Sequence, residues 1–332
     1  MPTISDLRQR QALPLSAKVS MTKARIREWY NHWDGDVYVS FSGGKDSTVL
    51  AHLVHDIYPN VPLVFSNTGL EYPEIQSFAK KMNAIFVRPD VSFSDVISKW
   101  GYPIISKEVA GSIYYARTIR GGLEAERRRS QLNSGRRNQL LGETVTTFFD
   151  KRKWLPLCNE TQFMIGDNCC SQIKKKPLRK YQKHSNRVPI IGTLAEESKQ
   201  RENAWIKNGC NAFESKKPIS QPMSFWLEQD VLQYIKDERL EIASIYGDVV
   251  TVDSDGMEYD ALLAPCGKLK CTGCQRTGCI FCGFGVHLDK GETRFQRLAK
   301  THPRQYEYCM SGGNGLTIRS MTRQRQSMTV NG

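Results

Sequence analysis

Residues 37–41, Val-Tyr-Val-Ser-Phe, read as a strand and run directly into Ser42-Gly43-Gly44-Lys45-Asp46-Ser47, after which an apolar, helix-compatible run begins. A strand that turns through two glycines into a helix is the start of a βαβ unit, which confines the chain to an α/β fold with a parallel sheet. The two glycines let backbone amides approach a ligand with no Cβ in the way. The helix that follows offers unpaired N–H groups and the positive end of its dipole, so the turn is suited to an anion. Ser42 and Ser47 add hydroxyl donors and Lys45 a charge, while Asp46 is expected to cap the helix. The spacing departs from the Walker pattern, which needs four residues between its first glycine and the Gly-Lys pair.

Periodicity extends the alternation. It predicts helices at 19–33, 46–57, 72–82 and 228–236, and strands at 61–65, 84–87 and 188–191. Within 107–153 the chain is polar and dense in arginine (Arg117, Arg120, Arg127, Arg128, Arg129, Arg136, Arg137), which suggests a basic helical insertion or arm. From 261 to 288 it is too rich in glycine and cysteine for a regular element. The expected organisation is a nucleotide-binding domain over 1–240 with an insertion at about 107–157, a Cys-rich metal or cluster module over 241–310, and a flexible tail at 311–332. The 332 residues allow one large or two modest domains.

A net charge of +13 concentrates polyanions, so the expected partners are a highly charged nucleotide and, in second place, DNA or RNA; a merely solvated basic surface is the plain alternative. No apolar run approaches the roughly 18 residues of a membrane span, and the first twenty residues lack the apolar core of a secretory signal. No membrane association and a cytoplasmic location are therefore expected. Ten cysteines in such a chain point to metal or redox chemistry instead of a disulfide framework. The run CTGCQRTGCIFCGFG, 271–285, holds Cys271, Cys274, Cys279 and Cys282, whose thiolates would repel one another unless a cation joined them. Zinc would satisfy four thiolates, but its Cys-x-x-Cys pairs usually stand a dozen or more residues apart; iron–sulfur ligation is the competitor.

Further stretches follow the glycine loop in a fixed order: VFSNTGLEYPEI at 64–75, CCSQIKKKPL at 169–178, IIGTLAEESKQRENAW at 190–205 and PMSFWLEQDVLQYI at 222–235. With SGGKDS they resemble the phosphoadenosine phosphosulfate (PAPS) reductase family of the PP-loop, adenine nucleotide α-hydrolase-like superfamily. The resemblance implies a Rossmann-like PP-loop domain binding ATP or PAPS, with Mg as a companion ion. It puts Ser42, Gly43, Gly44, Ser47, Thr68 and Gly69 at the nucleotide, and Lys45, Asp46, Lys174 and Arg201 in catalysis. It also implies a [4Fe–4S] cluster, zinc being the alternative. Assimilatory reductases of the family would take Cys169, Cys170, Cys279 and Cys282 as ligands, whereas the similar motif of DNA phosphorothioation PP-loop enzymes points to Cys271, Cys274, Cys279 and Cys282. The implied chemistry is sulfur transfer or sulfonucleotide conversion, with a cysteine desulfurase or a thiol reductant as the source of sulfur or electrons.

Two departures bear on that chemistry. Leu194 and Ala195 stand where the family usually offers an arginine, which leaves Arg201 as the cation. The family's C-terminal Glu-Cys-Gly-Leu-His motif is absent, its nearest counterpart being EYCMSGGNGL with Cys309. This second departure favours adenylation of an acceptor, such as a nucleic acid activated for thiolation or phosphorothioation, whereas the breadth of the resemblance favours reductive release of sulfite, and the two stay open. A nucleic-acid-binding or redox-sensing module without turnover is the non-enzymatic alternative. Lys107 and the basic run Lys174, Lys175, Lys176, Arg179, Lys180 and Lys183 are secondary anion candidates, most of the run being expected to face solvent, while His52 and His55 are expected to be packed or exposed instead of catalytic, and Trp205 and Trp226 to pack.

Overall fold

Val37, Tyr38, Val39 and Phe41 are all buried, as a central parallel strand covered on both faces requires. In the computed structural model the described residues are 2–118, 163–253, 267–289 and 291–309, with 136–137, 145–146, 154 and 157 between them. Arg120, Arg127, Arg128, Arg129, Cys158, Cys266 and the 311–332 tail lie outside the described residues. Two compact units divide the chain: Met1–Arg88 with Pro177–Gly278, and Pro89–Lys176 with Cys279–Gly332.

The first unit opens with α1 (Ile4–Gln11) and α2 (Leu15–His32), followed by β1 (Val37–Phe41), α3 (Lys45–His55), β2 (Leu63–Ser66), α4 (Pro73–Lys81) and β3 (Ile85–Val87). Its six-stranded sheet has the order β3, β2, β1, Val188–Ile190, Ile219–Ser220, Asn211–Ala212. β1 pairs in parallel with β2, Val39 opposite Leu63, and on its other side with Val188–Ile190, Val37 opposite Val188. Only the last pair, Asn211–Ala212 with Ile219–Ser220, is antiparallel. The fold is thus mixed α/β with a mostly parallel central sheet, as expected. The chain leaves β1 towards β2 and β3 and later returns to the opposite side of β1, which makes the carboxyl end of β1 a topological switch point, where open α/β sheets bind ligands.

Helices hold the sheet through apolar stripes. α2 buries Lys18, Thr22, Ile26 and Trp29, spaced by three or four residues along one face. α4 begins with Pro73, whose fixed φ suits the first helical position. The helix Glu228–Asp237 buries Val231, Leu232, Tyr234 and Ile235. Trp205 and Trp226 are fully buried, as expected, and Trp226 Nε1 donates to Thr22 Oγ1 at 2.8 Å. His52 Nδ1 lies 2.9 Å from the Tyr234 hydroxyl and His55 Nε2 2.9 Å from the Val61 carbonyl, so both histidines serve packing.

The second unit contains α5 (Phe93–Trp100), β4 (Ile104–Ile105) and α6 (Lys107–Thr118). Its core joins Ile104, Ile105, Val109, Ala110, Ile113, Trp154, Leu157 and Ile165. Gly283–Phe284, directly after the second cysteine pair, adds to β4 as a parallel strand. No helix among the described residues is long and apolar enough to cross a membrane.

Candidate functional site

The anion loop is built by its own side chains. Gly43 takes φ +70°, a left-handed conformation that glycine adopts freely, and Gly44 then caps α3 with extended backbone. The Ser42 hydroxyl accepts the Gly44 N–H at 3.3 Å and lies 2.9 Å from Ser47 Oγ. Ser47 Oγ in turn accepts the Ser42 N–H at 3.2 Å and donates to the Gly44 carbonyl at 2.9 Å. Thr48 Oγ1 donates to the same carbonyl at 3.0 Å. The two serines thereby hold the turn closed against the first turn of α3, at the switch point of the sheet.

Asp46 does not cap the helix. The glycine turn starts α3 at Lys45, one residue before the expected 46, so that Gly44 occupies the cap and Asp46 falls inside the first turn. Burial raises its carboxyl above the usual range, against the pull of Lys45. Lys45 also differs from a free phosphate-binding cation. Only 6% of it is exposed, its ammonium donates to Glu228 Oε1 at 3.1 Å, and it lies 5.6 Å above the centre of the Tyr246 ring. Neither Glu228 nor Tyr246 is suggested by the motif, since they stand roughly two hundred residues further along.

Around this pair the first unit gathers further charge. The Glu228 N–H donates to Glu196 Oε1, whose carboxyl is raised chiefly by burial. Arg201 lies in the first turn of the helix Lys199–Asn208 and pairs with Glu197. Burial lowers its guanidinium, the Asp46 charge raises it, and the charge of Arg276 lowers it again. Burial pushes the Tyr246 hydroxyl up to about 12, and its partner is Thr277 Oγ1 at 2.5 Å.

Thr68 and Gly69 follow β2, whose carboxyl end lies beside that of β1. Thr68 Oγ1 donates to Glu71 Oε1 at 2.7 Å and its N–H donates to Glu71 Oε2 at 3.1 Å, while Gly69, at φ +75°, donates to Asn67 Oδ1 at 3.1 Å. The loop is therefore ordered by a buried carboxylate that the sequence motif contains but does not single out.

The described cysteines are unbridged and fall into the two units. Cys271 and Cys274 belong to the first, where burial raises the Cys271 thiol and the Lys45 charge lowers it. Cys169, Cys170, Cys279 and Cys282 belong to the second. A hydrogen bond between the neighbouring sulfurs, 4.0 Å apart, together with burial, raises Cys169. The same bond and the charges of Lys107, Lys174 and Lys175 hold Cys170 low. Burial raises Cys282, and the Cys170 charge raises it further. Among the described residues, no three His, Cys, Asp or Glu side chains stand together as a ready-made metal site. Lys174 lies in the π-helical turn Ser171–Lys175, directly after the Cys-Cys pair, a geometry that often marks functional positions. Ile105, two residues before Lys107, sits at φ +67°, an unusual conformation for a β-branched residue. Cys309 is buried, and burial alone pushes its thiol up to about 12.

A family model for the phosphoadenosine phosphosulfate reductase domain matches residues 36–97 and 143–283, more than half of the chain. Among solved structures, the phosphate complex of phosphoadenylyl-sulfate (PAPS) reductase from Candida auris is similar at 12% identity, over 74% of this chain and 91% of that one, with a TM-score of 0.38. No curated protein matches the chain.

Proposed function

Because the chain belongs to the phosphoadenosine phosphosulfate reductase domain family, we propose that it is an enzyme that binds an adenine nucleotide, ATP or PAPS, and uses it in sulfur transfer or sulfonucleotide chemistry. The anionic groups of the nucleotide lie against the 42–47 loop. The observation that carries this reading is the conformation of that loop: Gly43 at φ +70°, tied by Ser42 and Ser47 to the start of α3, at the carboxyl end of the central strand. In such a site rate enhancement comes chiefly from holding the reacting group and neutralising its charge. The direct test is calorimetric titration with ATP and with PAPS. Ser42→Ala combined with Gly44→Ala is expected to weaken nucleotide binding at least tenfold, by about 1.4 kcal/mol or more. Unchanged affinity removes the loop from the site.

A second reading is favoured by Cys309. Its thiol is buried, carries a raised pKa and lacks the Gly-Leu-His that follows the family's C-terminal nucleophile, so it is poorly suited to attack as a thiolate. On this reading the enzyme releases pyrophosphate from ATP, with Mg, and activates an acceptor such as a nucleic acid for thiolation. Pyrophosphate release from ATP that rises when DNA or RNA is added supports it. Sulfite release from PAPS with a thiol reductant supports the reductive chemistry instead.

We also infer that the thiols of the second unit take an iron–sulfur cluster, though among the described residues they do not stand together as a ready-made site. Charge on Cys170, Cys279 or Cys282 raises the Cys169 thiol and charge on Cys170 raises Cys282, so these sulfurs lie within electrostatic reach of one another, a repulsion that a cationic group would relieve. These four residues would hold it. When bound, it would supply a redox-active group for one-electron transfer. Protein purified without oxygen is expected to be brown, with about four irons for each chain, and to lose most of its visible absorbance with Cys170→Ser. A colourless protein containing one zinc contradicts the cluster.

A further inference from the structure

The cysteine-rich run carries an arginine for which its thiols give no reason. Residues 273–277 lie along the short turn Ser244–Tyr246: the Gly273 N–H donates to the Tyr246 carbonyl at 2.8 Å and the Cys274 N–H to the Ile245 carbonyl at 2.9 Å. Only glycine fits at 273, since a Cβ there would stand 2.4 Å from the Ile245 carbonyl oxygen. Thr277 completes the attachment through its bond to the Tyr246 hydroxyl. Tyr246 itself belongs to the loop's surroundings. Its hydroxyl is 3.4 Å from the place a Cβ on Gly44 would occupy, and its ring lies under the Lys45 ammonium. Arg276 is thus the residue next to Thr277, on a segment tied to the tyrosine that borders the glycine loop.

Arg276 is exposed and makes no ion pair among the described residues. Its charge nevertheless acts on Asp46, on Glu196 and on the Arg201 guanidinium. Two guanidiniums within electrostatic reach of each other repel unless an anion lies between them. The nearby carboxylates meet that need poorly: Glu196 accepts the Glu228 N–H and burial disfavours its charge, Glu197 already engages Arg201, Glu228 engages Lys45, and burial disfavours charge on Asp46. A guanidinium fork also suits tetrahedral oxyanions, which it can grip with two parallel hydrogen bonds.

We propose that Arg276 and Arg201 form a cation pair that receives the second anionic group of the nucleotide's 5′ chain, while the glycine loop receives the first. The inference rests on the loop reading above and deepens it by naming the residues that would meet the outer anionic group of an adenosine 5′-polyphosphate or 5′-phosphosulfate. A nucleoside monophosphate offers nothing to the pair.

The test is calorimetry at low salt with AMP, ADP and adenosine 3′,5′-bisphosphate, on the full chain. Wild-type protein is expected to bind ADP more tightly than AMP. Arg276→Ala is expected to leave AMP affinity within about twofold and to weaken ADP about tenfold, the loss of one charge-assisted contact; Arg276→Lys is expected to recover part of it. Unchanged AMP binding also shows that the variant is folded. Equal losses for AMP and ADP, or no loss for either, overturn the proposal. A loss confined to the 3′,5′-bisphosphate also overturns it, because it puts Arg276 at the ribose phosphate. The Ser42→Ala/Gly44→Ala protein separates the two levels: it should lose AMP and ADP alike, and if it binds both as the wild type does, the loop reading itself fails. Wild-type protein that binds AMP but gains nothing from a second phosphate overturns the cation pair and leaves the loop standing. Failure to bind any of the three overturns both.

Discussion

Gly43→Ala is expected to reduce nucleotide affinity about a hundredfold, a loss of about 2.7 kcal/mol. Two costs coincide at this position. A side chain at φ +70° is disfavoured by roughly 1–2 kcal/mol, and its Cβ would stand 2.8 Å from Ile75 Cγ2. Ile75 is buried in α4 and cannot withdraw without disturbing the core. The turn must move instead, and with it the Ser42 and Gly44 groups that Ser47 fixes. Gly69→Ala is the informative companion, since it has a similar φ of +75° but no atom within 4 Å of the added Cβ. It bears the conformational cost without the collision and should retain more affinity. If Gly43→Ala binds within threefold of the wild type, or if the two variants lose equally, the close fit of the loop against α4 is not what shapes the site.

Lys18→Met is expected to destabilise the protein by about 3 kcal/mol, as loss of one partner from a buried ion pair typically does. Lys18 Nζ lies 2.6 Å from Asp230 Oδ2, and only 2% of the lysine side chain and 15% of the aspartate's are exposed. The same Oδ2 accepts the Leu227 N–H at 2.7 Å, at the start of the helix that carries Glu228. The substitution therefore leaves a mostly buried carboxylate without its counter-charge at the point that positions the partner of Lys45. Urea unfolding followed by circular dichroism measures the loss. The double variant Lys18→Met with Asp230→Asn should recover a substantial part of it, because the uncompensated charge is then gone. A single-variant loss below about 1 kcal/mol would class the pair with ordinary surface ion pairs.

Much of the first unit is legible in the sequence because its strands are apolar throughout and its turns carry glycine, proline or asparagine. The expected strand at 37–41 coincides with β1, and those at 61–65 and 84–87 fall within two residues of β2 and β3. The helix expected at 228–236 is found at Glu228–Asp237. Asn211–Ala212 and Ile219–Ser220 were not legible, because two residues have no period to detect. α1 was missed as well: its side chains are mostly polar, and only Leu7 and Gln11 are buried.

At the site, sequence indicates the loop but not the environment of its charges. Lys45 and Glu228 are separated by 183 positions, and only the packing of one helix against another brings them together. Asp46 does not cap because a cap depends on where the backbone enters the helix, and the glycine turn puts the cap at Gly44, two residues earlier in the chain. The four cysteines of 271–285 are close in sequence, yet the boundary between the compact units passes at Gly278, so that Cys279 and Cys282 share a unit with Cys169 and Cys170. Spacing alone carries no information about such a division.

The six-stranded sheet has one further consequence. Its outermost strands are three residues long on one side and two on the other, too short to offer an extended row of unpaired amides and carbonyls to a neighbouring molecule. A net charge of +13 adds mutual repulsion between copies. Self-association by strand addition is thereby discouraged twice.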